Sequence, residues 1–201
     1  MEYLEQIKDE KLRKAVLLML KDWGYKLRFI PGSMTGKHHA TDELEMEGLK
    51  RHIEKMCWFL IKVCEAHKLP DSEKDIYLVS AYFHDISKVV SSKVSEKVIY
   101  IGKKVLRQVE VSREVTQDSH PFDSARIAVE YLDKVGVDVA TRGIIANIII
   151  CHMNHWYYPK YPLPKTEREK TFALADYIVS RCDFSIKLES RWSRFKRRFK
   201  R

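Results

Sequence analysis

The side chains with the clearest chemical potential are histidines and aspartates spread over more than half of the chain. They are His52, the adjacent pair His84 and Asp85, then His120, His152 and Asp176. An imidazole and a carboxylate at the same end of one helix can bind metal together, so the adjacent pair is the most informative part of the set. A single histidine is more often a structural residue than a ligand. The whole combination favours a metal centre.

This set mixes nitrogen and oxygen donors and contains no thiolate. Such donors suit first-row divalent cations (Mn, Fe, Co, Ni or Zn) better than Mg²⁺, which is held mainly by oxygen atoms. The predicted cofactors are therefore one or two of these ions, with Mg²⁺ disfavoured. The four cysteines have no CxxC spacing and lie in apolar helical patterns. They are predicted to be reduced packing residues.

The predicted ligands need elements that bring them together, and apolar residues at three- and four-residue steps supply helices. We predict them at about 3–29, 41–68, 73–86, 121–135, 138–153 and 166–183. The helix over 138–153 contains a long apolar run, which predicts that it is central. Residues 90–117 are ambiguous, because 93–107 fits a helix while 104–116 alternates like a hairpin. The predicted fold class is an all-α bundle with a small hairpin or helical insertion around 90–117.

Four motifs, in this order, resemble the HD-domain superfamily of metal-dependent phosphohydrolases. Gly48–His52 is similar to the GLxxH start of HD domains and His84–Lys88 to their HDxxK core. Residues 119–128 resemble the following H-P-x-x-x-A helix, and 174–176 resemble the L-A-D of the last ligand. The resemblance covers about residues 36–183 and lies in the order and context of the motifs. It implies an HD-type helical bundle.

The resemblance also implies a role for each motif residue. His52, His84, Asp85 and Asp176 would hold one metal ion, and Asp85 would bridge to a second ion held by His120 and His152. Two ions about 3.5 to 4 Å apart acidify a shared water and clamp a phosphoryl group, so a metal-bound hydroxide would attack phosphorus. Lys88, three residues after Asp85, would steady the phosphate as a point charge. The implied activity is that of a phosphohydrolase or phosphodiesterase on a nucleotide or nucleic-acid phosphoester.

The chain departs from the family pattern at three points. Many relatives with two metal ions have a His-His pair where this chain has His152 and Met153. His155 is therefore an alternative ligand or a substrate contact, and the second ion is in doubt. Gly48 stands where trinuclear members have a glutamate, which disfavours a third ion. The segment after Lys88 lacks the GYP element of the enzymes that act on cyclic dinucleotides.

Two loops beside the motifs carry further candidates. The segment 36–39 resembles a G-K-x-H element in some bacterial and phage HD proteins, and there Lys37 and His39 would bind phosphate or protonate a leaving oxygen. The plainer interpretation of this segment is a surface turn. Trp156 begins an aromatic, proline-rich loop. It would stack a nucleobase or simply pack the loop onto the domain.

The basic character of the chain is concentrated at its C-terminal end. Residues 191–201 carry seven Lys or Arg residues and no acid, which leaves +2 of the net charge of +9 for the other 190 residues. We predict one domain over 1–190 followed by this tail, whose Trp192, Phe195 and Phe199 have helical spacing. The tail is predicted with equal weight to bind nucleic acid or to dock onto the domain. Binding to a membrane surface is the less favoured third alternative. The residues assigned to nucleic-acid binding are Arg191, Arg194, Lys196, Arg197 and Arg198.

Composition limits the remaining possibilities. No apolar run reaches the roughly 18 to 20 residues needed to cross a bilayer, and the start lacks the layout of a secretory signal. A soluble, cytoplasmic protein that acts on a nucleotide or single-stranded nucleic acid is therefore predicted. Two other functions stay open. One is a di-iron oxygenase of the HD fold with the same ligands, and the other is a non-enzymatic nucleic-acid-binding module with a structural metal site.

Overall fold

A computed structural model gives the structure of the chain. It describes residues 2–33, 41–101, 104–113, 119–153 and 161–181, and for 96–101, 104–108 and 113 it describes the backbone alone. Within these residues the elements are α1 Glu10–Leu27, α2 Gly48–His67, α3 Asp71–Phe83, α4 Ile86–Val90, β1 Ser92–Ile101, β2 Lys104–Arg113, α5 His120–Lys134, α6 Val139–Cys151 and α7 Glu167–Arg181. The predominance of helix confirms the predicted all-α class.

Helix α3 lies at the centre of the bundle. All nine residues from Asp75 to Phe83 are buried, and the helix packs against α1, α2, α5 and α6. Helix α6 buries a narrower face, made by Ile145, Ile148 and Ile149. Other apolar residues of α6 are only partly buried. The long apolar run of this helix therefore suggested more complete burial than the structure has. The helix predicted to be central thus packs against α3, α5 and α7, but α3 is the more completely buried helix.

Helix α1 begins at Glu10, later than the predicted residue 3. A 3₁₀ turn, Leu4–Gln6, precedes it. Asp9 caps the helix by accepting a backbone N–H at 2.9 Å. Buried Asp75 of α3 accepts the backbone N–H groups of Lys8 at 3.0 Å and Asp9 at 2.7 Å. These hydrogen bonds turn the chain just before the helix, and they come from a residue far away in sequence.

Helix α2 begins at Gly48 and not near Thr41 as predicted. The segment Thr41–Glu43 forms a 3₁₀ turn instead, and Glu47 takes a left-handed conformation with φ of 61°. Gly48 permits a close approach, because a Cβ at this position would lie 2.0 Å from the carbonyl oxygen of Glu43. The acidic turn is therefore held against the start of the helix that carries His52.

The helix predicted over 73–86 is interrupted at His84 and Asp85. Helix α3 ends at Phe83 and α4 starts at Ile86, with Asp85 at φ −117° and ψ 12° between them. Adjacent residues of a continuous helix do not face each other. Here Nε2 of His84 and Oδ2 of Asp85 are 3.5 Å apart. The break is what lets the two neighbouring side chains share one site.

Residues 92–101 and 104–113 form the two strands of a β-hairpin, which resolves the ambiguity for the described part of the segment 90–117. Strand β1 pairs with β2 in antiparallel register, from Ser92 opposite Arg113 to Ile101 opposite Lys104. Nζ of Lys26 in α1 donates to the carbonyl of Ser92 at 2.9 Å, and the base of the hairpin packs on the core. The helical alternative over 93–107 was wrong, because the described residues of this segment pair as antiparallel β-strands.

Three of the four cysteines lie in the described residues. Cys57, Cys64 and Cys151 are free and buried, as predicted for packing residues, and burial raises the pKa of the Cys151 thiol to about 11. Cys182 and the tail 191–201 lie outside the described residues. Among the helices that the structure describes, none is long and apolar enough to cross a membrane.

Candidate metal centre

Helices α2 and α7 and the end of α3 bring His52, Asp176 and His84 together. Nε2 of His52 lies 3.1 Å from Nε2 of His84 and 3.0 Å from Oδ1 of Asp176. Nε2 of His84 lies 3.9 Å from the same Asp176 oxygen. Both rings are fully buried, while the Asp176 side chain is 18% exposed. The three side chains converge on one point, with Asp176 the nearest to solvent.

A second group forms where His120 and His152 face Asp85. Their Nε2 atoms are 3.2 Å apart, and Nε2 of His120 lies 3.5 Å from Oδ1 of Asp85. Ligand atoms of these three residues lie within 4.8 Å of one another, and so do those of His52, His84 and Asp85. Asp85 is shared by both groups. Its Oδ1 faces the second pair of imidazoles, and its Oδ2 faces His84 of the first pair.

His84 and His152 are held in equivalent ways at the ends of α3 and α6. Each ring uses Nδ1 to reach the backbone carbonyl three residues earlier, at 2.9 Å for Ala81 and 2.6 Å for Ile149. A carbonyl oxygen only accepts, so both Nδ1 atoms carry a proton, and in the neutral form of each ring Nε2 carries a lone pair. Each lone pair faces the other imidazole of its pair.

These donor atoms fit divalent ions. Two nitrogen lone pairs at 3.1 or 3.2 Å repel each other unless a proton or a cation lies between them. Oδ1 of Asp85 is buried and accepts no hydrogen bond from the described residues, which is costly unless a cation faces it. Imidazole and carboxylate are common ligands of first-row divalent metals. The residues could hold one ion in each group, with Asp85 between the two.

The two histidines of the first group differ in their electrostatics. Burial opposes a charge on His52, but Glu43 and Asp176 on either side of the ring outweigh it and raise the pKa of His52 to about 10. At His84 burial dominates and lowers the pKa to about 4. These values favour a protonated His52 paired with Asp176 and a neutral His84. A metal ion bound at Nε2 of His52 would replace that proton.

Both aspartates of the site are strongly acidic. Burial alone would raise the pKa of Asp85, but the Lys88 ammonium and the surrounding imidazoles hold it well below its usual range. Burial is also outweighed at Asp176, where the hydrogen bond from His52 lowers the pKa. Nζ of Lys88 lies 2.6 Å from Oδ2 of Asp85. Both carboxylates are therefore ionised at neutral pH, as metal ligands must be.

Two buried serines join the helices that carry Asp85 and His120. Oγ of Ser87 donates to the backbone carbonyl of His120 at 3.1 Å, and Oγ of Ser124 donates to Oγ of Ser87 at 2.9 Å. The N–H of Ser87 in turn donates to Oγ of Ser124 at 3.1 Å. This closed network fixes the start of α4 against the start of α5. It therefore sets the spacing between the two candidate ligands.

Glu43 is a buried carboxylate at the site that the sequence motifs do not include. Its Oε2 lies 3.2 Å from Nδ1 of His52, and both side chains are fully buried. Its Oε1 accepts a hydrogen bond from Nζ of Lys55 at 3.0 Å. The only signal in the sequence is an acidic residue in the polar stretch before the GLxxH motif. That stretch has the pattern of a helix cap, so the sequence does not indicate that Glu43 lies beside the first histidine.

The structure brings together all six residues predicted to bind metal, and Lys88 lies beside them. Several other candidates lie outside the described residues, and their roles stay predictions: Lys37, His39, His155, Trp156, Arg191, Arg194, Lys196, Arg197 and Arg198. His152 lies in the second group, opposite His120. Because His155 is outside the described residues, the choice between these two histidines as ligand stays open.

The family model described as HD domain matches residues 49–180. The matched span begins three residues before His52 and ends four residues after Asp176, so it contains every predicted metal ligand. It covers well over half of the 201 residues. Comparisons with curated proteins and with solved structures gave no match. On the family match and the site geometry together, the chain belongs to the HD domain family, a superfamily composed mostly of metal-dependent phosphohydrolases.

Proposed function

We propose that this protein is a divalent-metal-dependent phosphohydrolase that acts on a phosphoester of a nucleotide or nucleic acid. The observation that carries the proposal is the position of Asp85. One of its carboxylate oxygens lies 3.5 Å from His84 and the other lies 3.5 Å from His120. A carboxylate shared by two pairs of imidazoles suits a centre with two ions. Membership of the HD domain family supports the same class of reaction.

Divalent ions at such a centre lower the pKa of a water molecule and stabilise the charge on the attacked and leaving oxygens of a phosphoryl group. The residues around the centre orient the ligand atoms, balance charge and exclude water for this chemistry. Backbone hydrogen bonds aim the Nε2 lone pairs of His84 and His152. The ionised Asp85 and Asp176 balance positive charge. Burial of all four histidine rings keeps bulk water away from the ligand atoms.

Lys88 is the residue that we assign to the phosphate. Its side chain is 16% exposed, so it reaches solvent while its ammonium stays in ion-pair contact with Asp85. Lysine acts as a compact point charge with several donors. An ammonium shared between Asp85 and a phosphoryl oxygen would hold the substrate beside the carboxylate. This role requires no change in the fold.

Metal analysis combined with a substrate screen tests the proposal. The full chain is loaded with Mn²⁺, Co²⁺, Ni²⁺ or Mg²⁺ and assayed on mononucleotides, cyclic nucleotides, short single-stranded nucleic acids and a model phosphodiester. We expect metal-dependent hydrolysis that is stronger with Mn²⁺, Co²⁺ or Ni²⁺ than with Mg²⁺. Iron content with oxygen consumption would identify a di-iron oxygenase instead. Bound metal without turnover of any phosphoester would favour a non-enzymatic module.

We also propose that the basic tail 191–201 contacts nucleic acid. Deletion of the tail removes seven positive charges that lie far in sequence from every candidate ligand. Hydrolysis of a small nucleotide should stay nearly unchanged, while binding to a polynucleotide should weaken. The logarithmic salt slope of binding should fall by about 0.7 to 0.9 per phosphate contact removed. Unchanged binding of single- and double-stranded nucleic acid would contradict this role.

A further inference from the structure

We propose that Glu43 and Lys55 are a positioning pair that presents His52 to a metal ion through Nε2. Glu43 would accept a hydrogen bond from the Nδ1–H group of His52, and Lys55 would hold Glu43 in place. The ring then keeps its lone pair on the side of His84 and Asp176. This inference rests on the proposed metal-dependent function and deepens it, because it names what orients the first ligand.

His52 needs an acceptor from outside its own helix. His84 and His152 lie at helix ends, where their Nδ1 atoms bond to carbonyl groups of the same helix. His52 lies inside α2, where backbone carbonyls already accept the helical N–H groups. The Glu43 carboxylate faces this ring, with Oε2 in ion-pair range at 3.2 Å from Nδ1. Carboxylates that orient metal-binding histidines in this way are common.

Lys55 lies three residues after His52, on the same side of α2. Its Nζ donates to Oε1 of Glu43 at 3.0 Å and to Oδ1 of Asp42 at 2.8 Å. Its side chain is 4% exposed and that of Glu43 is fully buried. Oε1 of Glu43 thus accepts a hydrogen bond from Lys55, while Oε2 faces Nδ1 of His52. A buried carboxylate is tolerated when it is paired and hydrogen-bonded in this way.

The backbone of Glu43 is fixed as firmly as its side chain. Its carbonyl oxygen accepts the N–H of Gly32 at 2.7 Å. The same carbonyl packs against Gly48, where an added Cβ would come within 2.0 Å. The turn therefore lies between the preceding segment and the start of α2. The turn that carries Glu43 cannot move away from the start of α2 without loss of these contacts.

The division of the two oxygens makes a specific prediction for Glu43→Gln. An amide offers one acceptor oxygen and one donor NH₂ group. The Lys55 ammonium takes the oxygen, so the NH₂ group turns toward Nδ1 of His52. Nδ1 must then accept, the ring proton moves to Nε2, and Nε2 loses its lone pair. Replacing Lys55 as well, by Met, frees the amide to turn its oxygen back toward His52.

Calorimetric measurement of Mn²⁺ binding to the full chain and its variants tests the predicted effects of these substitutions. We expect Glu43→Gln to weaken Mn²⁺ binding by about 10- to 100-fold. Lys55→Met should weaken binding by less than Glu43→Gln, since Glu43 keeps both carboxylate oxygens, and the double variant should bind more tightly than Glu43→Gln alone. Glu169→Gln is a matched control, since Glu169 is buried and accepts hydrogen bonds from the backbone N–H groups of Lys165 and Thr166. It should keep wild-type affinity.

Wild-type affinity in Glu43→Gln, or a double variant as weak as Glu43→Gln, would overturn the positioning role. A second measurement does not depend on the folding of any variant. Nitrogen NMR of the imidazole rings in the Zn²⁺-loaded wild type should show His52 protonated at Nδ1 and bound through Nε2. A proton on Nε2 would also overturn it. A wild type that binds no divalent ion would contradict the proposed function itself, so the two failures are distinct.

Discussion

The ammonium of Lys88 lies 2.6 Å from Oδ2 of Asp85, the carboxylate that both histidine pairs face. The same ammonium is 3.5 Å from the carbonyl oxygen of Gly32. Lys88 is thus a cation beside the candidate metal ligands and is not itself a ligand. This arrangement separates two properties that can be measured independently, metal binding and phosphate binding.

Replacement of Lys88 by Met should lower kcat/KM for a phosphoester by about tenfold or more, because a hydrogen bond to a charged group is worth about 1.5 to 3 kcal/mol. Metal content should not fall, since the change removes a positive charge beside the ions. Lys62→Met on the exposed face of α2 is the control, where the lysine pairs with Glu65. A loss of bound metal in Lys88→Met would show that its assignment is wrong.

His152→Ala and His155→Ala should have different effects on metal stoichiometry. His152 lies 3.2 Å from His120 in the second group, so its removal should release the second ion and leave the first in place. His155→Ala should retain both ions and lose at most affinity for substrate. Elemental analysis after dialysis distinguishes them. Equal metal content in the two variants would mean that the second group holds no ion through His152.

Two glycine-to-alanine changes in helices should have opposite effects on stability. A Cβ at Gly48 would clash with the backbone of Glu43, so Gly48→Ala should lower the free energy of unfolding by about 1 to 3 kcal/mol. A Cβ at Gly143 in α6 meets nothing within 4 Å, so Gly143→Ala should raise it by about 0.5 to 1 kcal/mol. Urea unfolding measures both. Stabilisation by both variants would contradict the close packing of Gly48.

The ion pair between Glu73 of α3 and Arg168 of α7 should make stability depend on pH. Nε of Arg168 donates to Glu73 at 2.6 Å, and this hydrogen bond lowers the pKa of Glu73 below its ordinary value of 4.5. A carboxyl group whose pKa is lower in the folded chain adds stability above the unfolded pKa and loses it as pH falls through the folded pKa. The pair should therefore stabilise at pH 7 and fade in acid.

Glu73→Gln should lower the urea midpoint at about pH 7 and have a smaller effect at about pH 3, because below the ordinary pKa of 4.5 the stabilisation by the charged carboxylate declines. Glu65→Gln, in the exposed pair with Lys62, serves as a control and should change little at either pH. An equal loss of stability at both values of pH would show that the Glu73 charge has no part in it.

Sequence patterns predicted the elements whose signals are local. The stripes of apolar residues located six helical segments, and the order of the motifs grouped His52, His84 and the other ligands into one site. The departures arise from contacts between distant residues. Asp75 fixes the start of α1 from another helix, and no apolar period encodes that hydrogen bond.

The same reason explains the misses at the site. Glu43 was overlooked because it reaches His52 only where the backbone of its turn packs closely against Gly48. The local sequence pattern does not show this close approach. The break after Phe83 was missed because the helical pattern continues through it. In the hairpin, the helical pattern over 93–107 and the strand alternation over 104–116 overlap, and pairing between the two strands decided between them.

The sharing of Asp85 by two candidate metal-binding groups is central to the proposed function, and Asp85→Asn tests it most directly. The amide removes the negative charge with little change in shape. Metal content and phosphoester hydrolysis of the purified full chain should both be lost, while far-ultraviolet circular dichroism keeps its helical signal. Wild-type metal stoichiometry and hydrolysis in a folded Asp85→Asn variant would contradict the shared role of this carboxylate.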